Sequence, residues 1–418
     1  MLCRGDGKRD NCPMHYDTIA ITGMGVVSSV GTSVGSFTES LKKNQNGLVC
    51  LDRFDPSPFH ATRSFEISDF KLEGKNARAL MRMNKNAQYT IAAVGEALRQ
   101  SAYPLEANPY EVGLVLGSSF LDVALVTKYM TDVLKSQLKD YRPLQFPNTV
   151  PNATAAHTAI ELKIKGPNVT LVSMQNGAFS AVEYAIKMLR TDQVKMVLVG
   201  GVDVFSRERF LYFQQLERIA GIRGPEIHIP FSHDRNGFIL GEGCGILALE
   251  KTETARKRGA LILAEIRSLV TTYFPCPITE PLVADLPDTK LLYDRLLETA
   301  NLEKGSIDAF FSCASSCIDI DAWEDQAIAS YFGKNLPVTA FSSFIGEASD
   351  ASALHFVAAG VCLDQGFLFP VLGYSGNSEM ESNILTRTER FDKLNCVIVS
   401  RLGLGGSYSG LLLSRSRI

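Results

Sequence analysis

Cysteine, histidine and carboxylate side chains are the groups in this chain that could attack an electrophile, shuttle a proton or hold a metal. Cys313 and Cys317 form one C-x-x-x-C pair, with no second pair downstream at the spacing a zinc site uses. The nine cysteines, Cys3, Cys12, Cys50, Cys244, Cys276, Cys313, Cys317, Cys362 and Cys396, are odd in number and scattered. That is unlike a secreted disulfide framework, and small buried hydrophobes are the expected role. His228 and His233 have no cysteine or carboxylate cluster to complete a metal site, and His355 lies in an apolar helical run where a satisfied core histidine is expected. No metal and no cofactor is therefore expected. Gly23-Met-Gly25 follows a strand-like run, but Ser28 stands where a dinucleotide fingerprint needs its third glycine, so a tight turn is the better reading. Neither G-x-x-x-x-G-K-S/T nor H-E-x-x-H occurs, and a kinase, a zincin or an α/β-hydrolase is not expected.

Any site must be positioned by the elements around these residues. Short β-branched runs at Thr18–Thr22, Val112–Leu116, Asn168–Val172 and Val194–Val199 read as strands. Asn84–Gln100 carries Ala87, Ile91, Val94, Ala97 and Leu98 at helical spacing, and Phe179–Leu189 reads as a second helix. The pattern recurs downstream with strands at Leu261–Val270, Ala309–Cys313, Asn395–Arg401 and Tyr408–Ser414, and helices at Thr289–Ala300, Ala322–Phe332 and Leu354–Leu363. Alternation of this kind predicts an α/β fold, and nearly continuous apolar strands predict sheets covered on both faces. Two similar halves, 14–255 and 256–418, are expected to meet near Glu250–Gly259, after a disordered extension at 1–13 that would make Met14 a natural start. The 418 residues are 45% hydrophobic with a net charge of −3. That balance gives no footprint for nucleic acid or an anionic membrane. No apolar stretch reaches the ~18 residues of a spanning helix, the first residues carry no apolar h-region, and the cytoplasm is the expected compartment.

Glycine clusters recur in a specific order: Ile21–Gly31, Lys165–Ser173, Val199–Phe205, Pro230–Glu250 and Leu402–Leu413. In this order and spacing they resemble the β-ketoacyl-acyl-carrier-protein synthases of the thiolase-like superfamily, from about Ile19 to Leu413. The most specific match is Asp234-Arg-Asn-Gly237-Phe-Ile-Leu-Gly241-Glu-Gly243, which is similar to the family's D-R-x-G-F-x-x-G-E-G. The resemblance implies a duplicated fold, two βαβαβαββ halves in a five-layer αβαβα arrangement. It also implies acyltransferase chemistry: a cysteine thiolate at a helix N-terminus accepts the acyl chain, while two histidines and a lysine handle the malonyl thioester and its enolate. Carried over position by position, the cysteine falls on Gln175, in Ser173-Met-Gln-Asn-Gly177. The first histidine falls on Cys313. The K-S-x-x-G-H run falls on Ser342-Ser343-Phe344-Ile345-Gly346-Glu347, so lysine has become Ser342 and the second histidine Glu347. The Gly-Phe-Gly-Gly gate reads Gly403-Leu404-Gly405-Gly406.

A carboxamide at 175 cannot become a thiolate. Relatives with glutamine there include chain-length factors, silent subunits that pair with an active ketosynthase in type II polyketide and aryl-polyene systems. The resemblance therefore implies a heterodimer, possibly within a higher assembly, that makes fatty-acid-like or polyene products. It would meet acyl carrier protein through the complex, with no nucleic-acid or membrane partner. The strand Val169–Ser173 would pair across the dimer. Phe120, Leu121, Ala124 and Thr127, with Leu404, are candidates to line a shared acyl tunnel. Phe120, Ala124 and Thr127 are spaced by four and three, as on one helical face. The alternative is a malonyl-carrier-protein decarboxylase, which also carries glutamine but keeps both histidines. Cys313 as a displaced nucleophile has no base to activate it.

Overall fold

The computed structural model describes residues 18–72, 83–120, 122–137, 139, 143, 145–274, 289–376 and 379–416. The extension at 1–13, Met14, Cys3, Cys12, Cys276 and the tunnel candidate Leu121 lie outside the described residues.

The apolar runs assemble into one mixed sheet of eleven strands: β1 Ile19–Ser28, β2 Val112–Gly117, β3 Asn168–Leu171, β4 Met196–Asp203, β5 Gly243–Lys251, β6 Ala264–Tyr273, β7 Ala309–Phe311, β8 Pro337–Thr339, β9 Asn383–Ile384, β10 Cys396–Gly403 and β11 Ser407–Ser414. Their order is β9-β8-β7-β10-β11-β6-β1-β5-β4-β2-β3. From β3 to β1 the sequence of neighbours is the one met from β8 to β6, with the same alternation. The pairs β2–β3, β2–β4, β7–β8 and β7–β10 are parallel, and β4–β5, β1–β5, β10–β11 and β6–β11 are antiparallel. The two halves share one sheet through a pairing of only three residues, Ile19–Ile21 against Ala264–Ile266. This is the duplicated, thiolase-like α/β architecture.

Strand alternation explains the layers. Val197, Val199, Leu247 and Leu249 face a central core with Ala181, Val182 and Ala185, while Met196, Leu198, Ile246 and Ala248 face an outer core with Tyr89 and Val94. A second outer core, with Tyr293, Leu296, Phe310, Ile398 and Leu412, covers the other half. Between the halves, helix Ala353–Gln365 packs on strands of both and is buried from Ala353 to Leu363, which is why its sequence is apolar on every side.

Two sequence expectations change. β1 runs on to Ser28, pairing with β5 from Ile19↔Lys251 to Ser28↔Gly243, so Gly23 and Gly25 lie inside a strand rather than at a turn. A Cβ at Gly25 would stand 1.8 Å from the Ala93 carbonyl oxygen, and one at Gly23 would stand 2.2 Å from that of Ala97. The glycines let helix Lys85–Ser101 lie directly on the strand. Phe120 precedes the helix it was expected to share: Asp122 is the N-cap of helix Val123–Lys135 and accepts from Leu125 N. Among the described residues, no helix is long and apolar enough to cross a membrane.

The Gly25 contact gives a direct test. Gly25→Ala should cost at least the upper part of the ~1–3 kcal/mol typical of overpacking, whereas Gly305→Ala, with nothing within 4 Å of the added Cβ, should be close to neutral. Urea unfolding midpoints of the two variants measure the difference.

Candidate functional site

Four chain segments meet beneath the elbow between β3 and helix Gly177–Arg190. Gln175 sits at the elbow with a left-handed φ of +61°, a strained conformation for a residue with a side chain. Its N–H donates to Ser119 Oγ at 2.6 Å, and its carbonyl accepts from Arg401 Nε at 3.0 Å. Its carboxamide nitrogen lies 3.4 Å from Glu347 Oε1. Arg401, from β10, reaches Glu347 with both terminal nitrogens, at 3.1 and 2.5 Å, and both side chains are buried. Glu347 Oε1 also accepts from Ser349 N at 2.8 Å. Burial opposes the charge on Glu347, but the Arg401 guanidinium outweighs it and holds the carboxyl below the usual carboxylate range. A second buried guanidinium, Arg209, donates to the carbonyls of Gly241 and Glu347 and to Ser349 Oγ, each at 2.9 Å. It thereby pins the loop that carries Glu347.

The start of helix Gly177–Arg190 is occupied by another carboxylate. Asp350 Oδ1 accepts from Gly177 N at 2.6 Å and Ala178 N at 3.3 Å, and its Oδ2 accepts from Ser119 Oγ at 2.6 Å. Behind it lies Asp203, which accepts from Asp350 N at 2.8 Å, Ser118 Oγ at 3.1 Å and Phe120 N at 3.1 Å. Burial, and then the neighbouring Asp203, push the Asp350 carboxyl up to about 7; burial raises Asp203 as well.

Of the residues singled out in the sequence, Gln175 and Glu347 come together directly, and the Arg401 guanidinium that binds both is near enough to the Cys313 thiol to act on it electrostatically. Cys313 is buried, and its N–H donates to Glu324 Oε2 at 2.9 Å and Ser400 Oγ at 3.1 Å. Burial and then Glu324 push its thiol well above the ordinary range, so it stays protonated. Ser342 Oγ donates to the Ala314 carbonyl, and the Ser342 carbonyl lies 2.9 Å from His228 Nε2. Because His228 Nδ1 accepts from Ile239 N at 3.0 Å, the proton sits on Nε2. Burial lowers this imidazole to about 4, so it is a neutral tether between two loops. His355 is buried against the Phe341 ring, but its Nδ1 has no partner among the described residues, so it is a core histidine without the satisfied ring expected from the sequence. Burial, and then Arg401, lower it to about 3.

The tunnel candidates separate. Phe120 and Leu404 pack on one aromatic cluster with Phe205, Phe210 and Phe213, and the Arg209 guanidinium lies 5.5 Å from the centre of the Phe120 ring. Ala124 is half-buried and Thr127 exposed on helix Val123–Lys135, whose inward residues are Tyr129 and Val133. The string Gly31-Thr-Ser33-Val-Gly35 has the form of a nucleophile elbow, but Ser33 is the N-cap of helix Val34–Lys42 and its hydroxyl accepts from Ser36 N. Sequence reasoning missed Arg401, Arg209, Asp350 and Ser119. The available signals were an arginine as the one charged residue in the Cys396–Gly403 strand and an aspartate three residues after Glu347.

Residues 16–255 match the family profile for the Beta-ketoacyl synthase, N-terminal domain. A 3-oxoacyl-[acyl-carrier-protein] synthase 2 of Coxiella burnetii is 25% identical, over 96% of this chain and 99% of that protein. Among solved structures, the ishigamide ketosynthase/chain length factor superposes with a TM-score of 0.85 at 23% identity, covering 96% of this chain and 100% of that one. A type II polyketide synthase acyl-carrier protein in complex with its ketosynthase bound to the hexaketide gives 0.85 at 19% identity, with the same coverage.

Removing one member of the central ion pair leaves the other charge buried. Arg401→Met should therefore cost about 3–5 kcal/mol, and adding Glu347→Gln should recover most of it; thermal and urea unfolding of the single and double variants decide this. The raised Asp350 carboxyl predicts a pH trend. The folded state holds a proton that the unfolded chain releases near its ordinary value of 3.8, so this contribution to stability is present below that value and lost as pH rises towards about 7. Asp350→Asn should flatten the fall in unfolding free energy between pH 4 and 7, measured by urea titration across that window.

Proposed function

The chain belongs to the β-ketoacyl synthase family, and we propose that it is a catalytically silent, chain-length-factor-like subunit that completes an active ketosynthase in the cytoplasm. The observation that carries this reading is the Arg401–Glu347 pair locked onto Gln175. Condensation needs a thiolate at the elbow, a free N–H for the oxyanion and donors for the enolate. Here the elbow bears a carboxamide, its N–H is held by Ser119, and an ionised glutamate takes up the nearby guanidinium. The decarboxylase alternative loses ground for the same reason, because a Glu347 carboxylate repels malonate and its enolate.

Pairing is supported by what the segment 123–172 leaves uncovered. β3 ends the sheet, hydrogen-bonded to β2 alone among the described strands. Along the same stretch Met130, Leu134, Phe146, Ile160 and Val172 are exposed. Tyr129 touches Phe146, and helix Ala153–Leu162 packs on β3. An open strand edge beside exposed apolar residues favours a protein partner. Thr127, Met130 and Leu134 follow spacings of three and four, so the outward stripe of helix Val123–Lys135 would face that partner. We assign the partner as an active ketosynthase that receives acyl chains from a carrier protein. The Coxiella relative's name gives the condensing activity, and the ishigamide structure's title names a ketosynthase together with a chain length factor. Phe120 and Leu404 on one side, and Ala124 and Thr127 on the other, remain our candidates for a tunnel shared with the partner.

Alone, the chain should neither condense nor decarboxylate malonyl-carrier protein. Intact-protein mass spectrometry of the loaded carrier checks this, and acetyl-carrier formation above the rate without protein would sink the proposal. With an intact Cys-His-His ketosynthase it should form a one-to-one complex in sedimentation, and Ala124→Phe in that complex should shorten the products at equal amounts of folded complex. An unchanged product distribution would remove Ala124 from the tunnel.

A further inference from the structure

We infer that Asp350 is a built-in counter-anion of the elbow helix: its carboxylate occupies the electropositive helix start that a thiolate or oxyanion at the elbow would need, and so silences the elbow independently of Gln175. The inference rests on the reading of this chain as a silent ketosynthase relative, and adds the residue that enforces the silence.

Helix Gly177–Arg190 is 14 residues long, and its N-cap, Asn176, makes no capping side-chain bond. The first N–H groups of such a helix need acceptors, and its start carries the positive end of the helix dipole. Both needs are met by Asp350, which lies 173 positions away along the chain from Gly177. The fit is tight. A Cβ at Gly177 would meet Asp350 Oδ2 at 2.6 Å, and a Cβ at Gly201 would meet the Asp350 carbonyl oxygen at 2.0 Å. Two glycines, one on the helix and one on β4, thus leave the room that the aspartate fills. Ser119 extends its reach: the hydroxyl donates to Asp350 Oδ2 and accepts from Gln175 N, both at 2.6 Å. One carboxylate therefore takes up the helix start directly and the elbow N–H through a serine.

A nucleophile returned to position 175 would meet a spent dipole and an occupied N–H. Around it are the Glu347 carboxylate and the Arg401 guanidinium, with Asp350 reached through Ser119, Asp203 and Arg209 bound to these in turn, and the Cys313 thiol within electrostatic reach of Arg401. Arg401 is committed to Glu347. Asp350 holds its proton up to about pH 7, below the range where a thiol titrates, so in that range it is an anion, and together with Glu347 it favours the neutral thiol.

The test uses the full chain with Gln175→Cys, alone and combined with Asp350→Asn, which removes the charge while keeping an oxygen for Gly177 N. The new thiol is titrated by NMR of β-carbon-labelled cysteine, assigned by difference from the parent. The single variant should titrate above the ordinary ~8.5 of a free thiol. Adding Asp350→Asn should lower it by at least one unit and speed iodoacetamide alkylation at pH 7.5 about tenfold. Equal titration in the two, or a thiol already acidic in the single variant, would overturn the inference. Should the asparagine variant not fold, Gln175→Cys with Asp350→Gly is titrated with and without formate, which should raise the thiol back in a dose-dependent way; no response to formate overturns the inference. If neither folds, Gln175→Cys with Ser119→Ala, which frees the elbow N–H, must lower the thiol or the inference fails. Thiol acidity is independent of complex formation and of malonyl turnover. The silent-subunit reading and the role of Asp350 can therefore fail separately.

Discussion

The Arg401–Glu347 ion pair is the interaction on which the centre of this molecule depends. Two charges removed from water cost several kcal/mol each unless their geometry and remaining hydrogen bonds are satisfied. Here they are: Glu347 also accepts from Ser349, and Arg401 also donates to the Gln175 carbonyl. The pair ties β10 to the loop after the short helix Ser342–Ile345, and through Gln175 it ties both to the strained elbow. Arg209 locks the far side of the same loop. Remove any of these contacts and a buried charge or donor is orphaned, so the region behaves as a cooperative block rather than as a pocket.

A condensing site requires groups held ready but unsatisfied, so that the reacting atoms supply their missing partners. This centre has the opposite character. The elbow N–H, the helix start and the guanidinium each already have an internal partner. The strain retained at Gln175, which in a catalytic elbow serves to present a nucleophile, is held here by hydrogen bonds to Ser119 and Arg401. Internal satisfaction converts a reactive geometry into a strut. A strut of this kind is what the proposed silent-subunit role would need.

The same logic accounts for Phe120. The carboxylate of Asp203 accepts the Phe120 N–H and fixes the chain just before helix Val123–Lys135 begins. The ring then packs edge-on against Tyr212 and tilted against Phe213, under the Arg209 guanidinium. The helix that follows turns two of its apolar residues, Met130 and Leu134, outward while Tyr129 and Val133 face in. One short segment thus serves both the buried centre and the uncovered face, and the N-cap Asp122 marks the change of direction.

The amino-acid sequence by itself determined the α/β class and most of the elements, because apolar periodicity and turn residues act over a few positions and are legible there. It also determined that position 175 carries no thiol, a matter of residue type alone. Two local readings failed for lack of distant information. Gly23 and Gly25 read as a turn, yet they are there for the approach of Ala93 and Ala97, and Phe120 read as part of a helix that an N-cap begins later. Only the tertiary structure decided what fills the centre. Arg401 meets Glu347 across 54 positions, and Asp350 meets Gly177 across 173. Neither pairing leaves a periodic trace, because a buried charge is chosen by the partner that faces it after folding, and that partner is set by strand order rather than by spacing.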